Sequence, residues 1–363
     1  MIEQIKIQNY KSIREAVIPL SNLNILIGSN GAGKSNLISF FELVKALLDQ
    51  RLGSYVLQRG GIDRILHHGR KNSEFIRSLI DFNNTNAIEF EIRPTTGSKA
   101  YIEFTKDYFN KNGVQDKNYK ELWHPFEWDK SVEESAILTN PKWRAGYIRS
   151  FLRSFTVYHF HDTSITSPMR QASKIGDNEY LRHDGSNLAA FLYKLKVKHE
   201  KEYNRIEGVI RSIAPYFKRF NLKPDNIMDG YISLEWEEVG SDMYLDASNF
   251  SDGTLRFIAL ATLLLQPNPP KTIIVDEPEL GLHPAAINKL GALIKRASNI
   301  SQLIIATQSV SIVDYFSLEN IIVVDRIDGQ STFKQLAPED YNIWLENYSL
   351  GEIWEKNIIG GQP

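Results

Sequence analysis

Along the first 28 residues the chain alternates with a two-residue period. Ile5 and Ile7 alternate with Lys6 and Gln8, residues 17–20 form a second short run and 23–27 a third, which predicts three strands. A glycine-rich turn over 28–33 follows. Beyond it Leu37, Phe40, Phe41, Val44, Leu47 and Leu48 recur at helical spacing. Apolar and β-branched residues return over about 82–105 as two strands, split by Pro94-Thr95-Thr96-Gly97. The stretch 106–230 has a different texture, with aromatics, Lys and Glu, polar loops such as Asn110-Lys111-Asn112-Gly113, and helical patterns near 143–155 and 187–213. It carries neither a sustained heptad nor an internal repeat.

From residue 250 the pattern sharpens. A helical run over 255–265 stops at Gln266-Pro267-Asn268-Pro269-Pro270, and the unbroken apolar strand 272–275 follows. A helix over about 284–297 leads to a second buried strand at 303–306, and 321–324 reads as a third. Continuous apolar strands alternating with helices predict an α/β fold with a parallel sheet.

Composition narrows the function classes. The 363 residues are 42% hydrophobic, enough for one large compact unit or two smaller ones. Lys plus Arg number 42 against 44 Asp plus Glu, a net charge of −2, so a globally basic nucleic-acid sleeve is excluded and any phosphate contact needs a local patch. The absence of cysteine excludes disulfides, Cys-based zinc sites and thiol catalysis, and fits a reducing compartment. The longest apolar run, 257–265, is far shorter than the roughly 20 residues of a membrane span. The amino-terminal residues also differ from a signal peptide. A soluble, cytoplasmic protein without a membrane partner is expected.

Gly28-Ser29-Asn30-Gly31-Ala32-Gly33-Lys34-Ser35 matches G-x-x-x-x-G-K-[ST] in full, between an apolar strand and an amphipathic helix. The spacing is chemical. Glycines let successive N–H groups point at phosphate oxygens, the helix adds its positive end, Lys34 reaches the β- and γ-phosphates, and the Ser35 hydroxyl ligates Mg²⁺. This is a nucleotide site, with Asn30, Gly31, Ala32, Gly33 and Asn36 lining it. Far downstream, Asp276 and Glu277 close the buried run 272–275, at the strand end where open α/β sheets bind ligands. Asp276 is placed to hold the Mg²⁺ hydration shell, and Glu277 to act as general base on the attacking water. Glu279 either supports this pair from behind or is simply exposed.

With these motifs in hand, Asn249-Phe250-Ser251-Asp252-Gly253-Thr254-Leu255-Arg256-Phe257 resembles the signature of ATP-binding cassette (ABC) ATPases. Together with Ala306-Thr307-Gln308-Ser309, the motif order is similar to the RecF/SMC/OLD branch, and more narrowly to stand-alone RecF-like AAA-type ATPases without a Toprim domain. The strings Tyr158-His159-Phe160-His161-Asp162-Thr163, Asp276-Glu277-Pro278-Glu279-Leu280-Gly281-Leu282-His283-Pro284 and Tyr348-Ser349-Leu350-Gly351-Glu352 recur there. The resemblance implies a P-loop NTPase fold of the ABC-ATPase head type, with an antiparallel β subdomain and a helical arm. It further implies a head-to-tail homodimer around two ATP molecules, in which Ser251 and the Gly253 N–H meet the γ-phosphate held by the partner's Lys34. Gln308 would sense that phosphate, and Gly281-Leu282-His283 would cross to the partner.

Two departures stand out. Asp252 and Thr254 replace the Gly and Gln usual in transporters, and Gln308 replaces the switch histidine. Glutamine can hydrogen-bond a phosphate but cannot titrate near neutral pH, which bears on turnover more than on binding. Gln58 and Gln171 are both Q-loop candidates.

Weaker groupings remain open. His159, His161 and Asp162 read as structural or nucleotide-adjacent hydrogen bonding, or as metal ligands. Arg144, Arg149, Arg153, Lys194, Lys196, Lys198 and Lys201, with Trp143, Tyr147 and Phe151, form basic helix faces that are either solvated or contact nucleic-acid phosphates.

The expected organisation is an ATPase head from both chain ends, 1–105 plus 231–345, a mainly helical insertion over 106–230, and an extension over 346–363. Lys34 and Asp276 must meet at one phosphate, which is why the head is split in sequence. The expected chemistry is hydrolysis of ATP with Mg²⁺, in DNA repair or maintenance or in phage defence. The alternative is a slowly hydrolysing, ATP-gated module that regulates a separate effector such as a nuclease. A transporter is disfavoured by the lack of a membrane segment, and the short stretch after Gln308 leaves no room for a fused Toprim-like nuclease.

Overall fold

The computed structural model describes residues 1–82, 85–109, 124–139, 143–225 and 228–362. The polar loop at 110–113 lies outside them. The chain divides into two compact units, Met1–Phe155 with Ser317–Pro363, and Thr156–Phe316.

The first unit opens with β1 (Ile2–Tyr10), β2 (Ile13–Pro19) and β3 (Leu23–Ile27), the three strands expected. Helices α1 (Lys34–Leu48) and α2 (Leu52–Gln58) follow, then β4 (Ile76–Phe82), β5 (Asn86–Pro94), β6 (Ala100–Phe109), β7 (His124–Val132) and helix α3 (Trp143–Leu152). Six of the strands form an antiparallel sheet in the order β2-β1-β4-β5-β6-β7. Its register places Ile5 of β1 opposite Ile18 of β2 and Ile80 of β4.

β4 escaped the sequence reading because its inward residues are Ile76, Ser78, Ile80 and Phe82. Ser78 breaks the apolar alternation, and its buried hydroxyl donates to the Lys6 carbonyl at 2.7 Å. The residues 106–109 belong to β6, and β7 extends the same sheet, so position 105 falls inside a strand.

Helix α1 buries the face its spacing predicted, including Leu37, Phe40, Phe41, Val44, Leu47 and Leu48. Phe40 meets Tyr10 of β1 edge-on at 5.6 Å and stacks on Phe90 of β5 at 6.3 Å. The helix that follows the phosphate loop is thereby seated on the sheet.

The chain passes into the second unit within β8 (Phe155–Tyr158). Next come β9 (Ser173–Lys174), α4 (Leu188–Lys198), α5 (Glu200–Ile213), β10 (Phe217–Phe220), β11 (Tyr231–Ile232), β12 (Trp236–Glu238) and β13 (Tyr244–Leu245). The helical pattern at 187–213 is two helices, because His199 leaves helical geometry at φ −141° and ψ 55°. Then α6 (Asp252–Leu265), β14 (Thr272–Asp276), α7 (Pro284–Ala297), β15 (Gln302–Thr307) and the short α8 (Val310–Val313) complete the unit. β14 and β15 pair in parallel, Ile274 beside Ile304, and β15 is buried along its whole length, as a central strand should be.

Back in the first unit, β16 (Ile321–Ile327) pairs in parallel with β3 and antiparallel with β17 (Gln330–Gln335). Helices α9 (Asn342–Leu345) and α10 (Leu350–Glu355) follow. Among the described residues no helix is long and apolar enough to cross a membrane.

Phe40→Ala should lower the unfolding free energy by about 3–5 kcal/mol. Urea titration of the variant checks this, and a loss below about 1 kcal/mol would mean that α1 is not seated through this ring.

Candidate functional site

In the first unit the phosphate loop leaves β3, whose five residues are all buried. Its curvature depends on missing side chains. A Cβ on Gly28 would lie 2.2 Å from the Val324 carbonyl oxygen, and one on Gly33 (φ 124°) would lie 2.0 Å from Ser331 Oγ. Ser331 Oγ donates to the Ala32 carbonyl and sits 2.6 Å from Ser12 Oγ, which accepts Asn36 Nδ2 at 2.6 Å. One polarity satisfies all three bonds, with Asn36 donating to Ser12, Ser12 to Ser331, and Ser331 to Ala32. Neither Ser12 nor Ser331 announces itself in sequence, since the relay spans a hairpin turn and a distant strand.

The Lys34 side chain is buried, and its Nζ donates to the carbonyls of Gly28 at 2.5 Å and Ser29 at 3.1 Å. Asn30, Gly31 and Ser35 are exposed, Ala32 is buried and Asn36 is half-buried. No acidic residue occupies the first turn of α1. A glycine-rich turn, an inward ammonium and the exposed Ser35 at a helix start fit a polyphosphate with its Mg²⁺. The Q-loop candidate Gln58 is exposed at the end of α2, whereas Gln171, in the second unit, reaches the Ile165 carbonyl at 3.5 Å.

In the second unit β14 delivers Asp276 and Glu277 side by side. Glu277 adopts a left-handed backbone (φ 40°), a costly conformation for a side-chain-bearing residue, and its N–H donates to the Ala306 carbonyl at 2.8 Å. Gln308 Nε2 donates to Glu277 Oε1, joining the expected base to the expected sensor. Glu279 settles in the supporting position. It is buried, and its Oε1 accepts Thr307 Oγ1 at 2.6 Å and the Gln308 N–H at 3.0 Å. Burial pushes its carboxyl above the ordinary range.

The signature segment lies in the same unit. Ser251 caps α6, accepting the Thr254 N–H at 3.2 Å, and its Oγ lies 2.8 Å from Thr254 Oγ1. Gly253 must be glycine, since a Cβ there would fall 2.4 Å from the Gly281 carbonyl oxygen. Stacking of Trp236 on Phe250 at 4.6 Å fixes the residue before Ser251.

Two arginines that sequence reasoning missed organise this region. Arg170, almost wholly buried, donates to the carbonyls of Thr163, Ala247 and Phe250 and pairs with Asp252 at 2.9 Å. Asp252 thus has a physical role at the position where it departs from the signature. Arg256 donates from Nε to the Phe160 carbonyl at 2.9 Å and from Nη2 to that of His161 at 2.8 Å. As the lone cation of an apolar helix it offered a signal, whereas Arg170 had none in its local sequence.

Desolvation pulls the His161 imidazole below its usual pKa, against the opposing pull of Asp276 and Glu277. Among the described residues no group of three His, Cys, Asp or Glu is placed to hold a metal ion. The basic faces are partly structural. Arg149 donates to the Ile137 and Leu138 carbonyls, and Lys194 to those of Asn178 and Glu179. The side chains of Trp143 and Arg144 lie outside the described residues.

Each unit therefore gathers one half of the expected residues, Asn30 to Asn36 in the first and Ser251, Gly253, Asp276, Glu277 and Gln308 in the second. Residues 23–314 match the family model described as "AAA domain, putative AbiEii toxin, Type IV TA system". The chain belongs to this family. It is 27% identical over 357 residues to the Old nuclease of Escherichia phage P2, covering 89% of this chain and 59% of that protein. The chain thus spans about three-fifths of the length of this curated relative. The Retron Ec83 probable ATPase of Escherichia coli is 22% identical over 423 residues, covering 98% of this chain and 76% of the relative.

A solved SMC head, bound in its crystal to the C-winged helix domain of ScpA, superposes with a TM-score of 0.63 at 17% identity. That likeness covers 94% of this chain and 99% of the other. The fold is that of an ABC-type P-loop ATPase head with an added antiparallel sheet, and the family is SMC/OLD-like, as the motif order implied.

Glu279→Ala, which leaves the Thr307 hydroxyl and Gln308 amide without their acceptor, should destabilise the protein by about 1–3 kcal/mol. Since the folded state holds the Glu279 proton more tightly than the unfolded state, its contribution to stability falls as pH rises above the ordinary carboxylate value. Glu279→Gln should flatten that slope in thermal melts, and an unchanged slope would show that another group causes it.

Proposed function

We propose that this chain is an ATP-hydrolysing P-loop ATPase whose head dimerises head-to-tail around MgATP, working in the cytoplasm in DNA maintenance or phage defence. The observation that carries the catalytic part is the Glu277–Gln308 pair, held at the end of β14 by Glu279 and Ala306. In this reading Lys34, Asn30 and the loop that runs through Gly31, Ala32 and Gly33 to Asn36 hold the phosphates, with Ser35 and Asp276 as the Mg²⁺ ligands. The metal would neutralise charge on the β- and γ-phosphates. Glu277 takes the proton of the attacking water, giving ADP and phosphate from ATP and water. Gln308 orients that water or the γ-phosphate through its amide. Ser251 and Gly253 complete the site of the partner copy.

The head is assembled from both ends of the chain, and the arm is drawn from 106–230 outside strands β6 and β7. DNA and a separate effector protein are the candidate partners, in keeping with one curated relative named a nuclease and another a retron probable ATPase.

One observation favours a second reading, that of a slow, ATP-gated module regulating a separate effector such as a nuclease. The sensor position is a glutamine, which cannot exchange protons as histidine does.

Glu277→Gln should retain ATP binding, cut steady-state hydrolysis by about 10²–10⁴-fold, and lengthen the life of an MgATP-dependent dimer. Unchanged turnover would remove Glu277 from the base role. Phosphate release measured with duplex DNA, single-stranded DNA and RNA separates the partner classes, since a flat response to all three favours a protein effector.

A further inference from the structure

The string around Tyr348–Glu352 takes no part in the chemistry above, yet it leads to the first residue of the phosphate loop. Ser349 and Glu352 form a reciprocal capping box that starts α10, which buries Leu350, Ile353 and Trp354. The chain then turns through Asn357 (φ 55°) and buries Ile359, arriving at Gly360 and Gly361, both with positive φ. Gly361 is held at both ends. Its N–H donates to the Asp325 carboxylate, at 3.0 and 3.2 Å from the two oxygens, and its carbonyl accepts the buried Trp354 indole N–H.

A Cβ on Gly361 would lie 2.7 Å from Val323 Cγ1, 3.4 Å from Gly28 Cα and 3.5 Å from the Ile27 carbonyl oxygen. A side chain at Gly361 would thus reach contact with Gly28 and strike Val323, whose neighbour Val324 sets its carbonyl against Gly28 with no room for a Cβ between them. The Gly28 carbonyl in turn receives the Lys34 ammonium.

We propose that Gly361, fixed by Asp325 and Trp354, is a positioning residue for ATP. It sets where the Gly28 carbonyl lies, and through it where Lys34 is held. The proposal rests on the reading of 28–35 as the nucleotide loop. Because the Gly28 carbonyl holds the Lys34 ammonium, bulk at Gly361 should act on nucleotide affinity.

The test titrates MgATP, followed with a fluorescent ATP analogue, against the full chain and its variants at matched folded fraction. Gly361→Ala should weaken binding at least about tenfold, with turnover at saturating ATP changed less. Val323→Ala, which removes the methyl nearest the new Cβ, should restore most of that affinity in the double variant relative to Val323→Ala alone. Trp354→Phe, which keeps an aromatic ring in the core but removes the indole N–H that Gly361 accepts, should weaken ATP binding in the same direction.

A folded Gly361→Ala protein that binds ATP within about twofold of the parent overturns the proposal, and so does a loss that Val323→Ala leaves untouched. Should Gly361→Ala fail to fold, Trp354→Phe decides, since unchanged affinity there rejects the role. Lys34→Ala separates the two layers of argument. ATP binding that survives it rejects the nucleotide loop itself, whichever way Gly361 behaves.

Discussion

A loop that binds an anion through backbone N–H groups must hold a curvature that its own residues do not favour. Here the constraint is met from outside the loop. Val324 presses against Gly28 and the Ser12–Ser331 pair presses against Gly33, so the cradle is moulded by β16, β17 and the β1–β2 turn. The parallel pairing of β16 with β3 and the seating of α1 on Tyr10 and Phe90 then read as means of keeping those moulding surfaces in place.

The second unit solves the matching problem for acids. Two carboxylates close in sequence, Glu277 and Glu279, receive opposite environments. Glu279 is buried and saturated on one oxygen by Thr307 and Gln308, while Glu277 stands on a left-handed backbone with Gln308 as its neighbour. The same side chain type becomes scaffold in one place and candidate reactant in the other, and burial makes the difference.

Much of this was readable from residues in order. Unbroken apolar runs marked β3, β14 and β15, and helical spacing marked α1 and α7, because each of those elements is buried on the face its pattern declares. The phosphate loop and the acidic pair were readable because their chemistry is written in contiguous residues. What stayed hidden is polar and long-range. Ser78 masked β4 by filling an inward position with a hydroxyl, and the Arg170 fork to Thr163, Ala247, Phe250 and Asp252 has no periodicity to detect. Such contacts depend on where the chain returns, which no local window contains.

The hydrogen-bond relay behind the loop has an electrostatic consequence. The carbonyls of Gly28 and Ser29 face the Lys34 ammonium, that of Ala32 faces Ser331, and that of Gly33 accepts the amides of Asn36 and Leu37. With these negative dipole ends engaged elsewhere, the outward surface of the loop is left positive without spending a second formal charge. A field made from dipoles does not titrate, so the loop's attraction for an anion should be far less sensitive to acidity than one built on histidine would be.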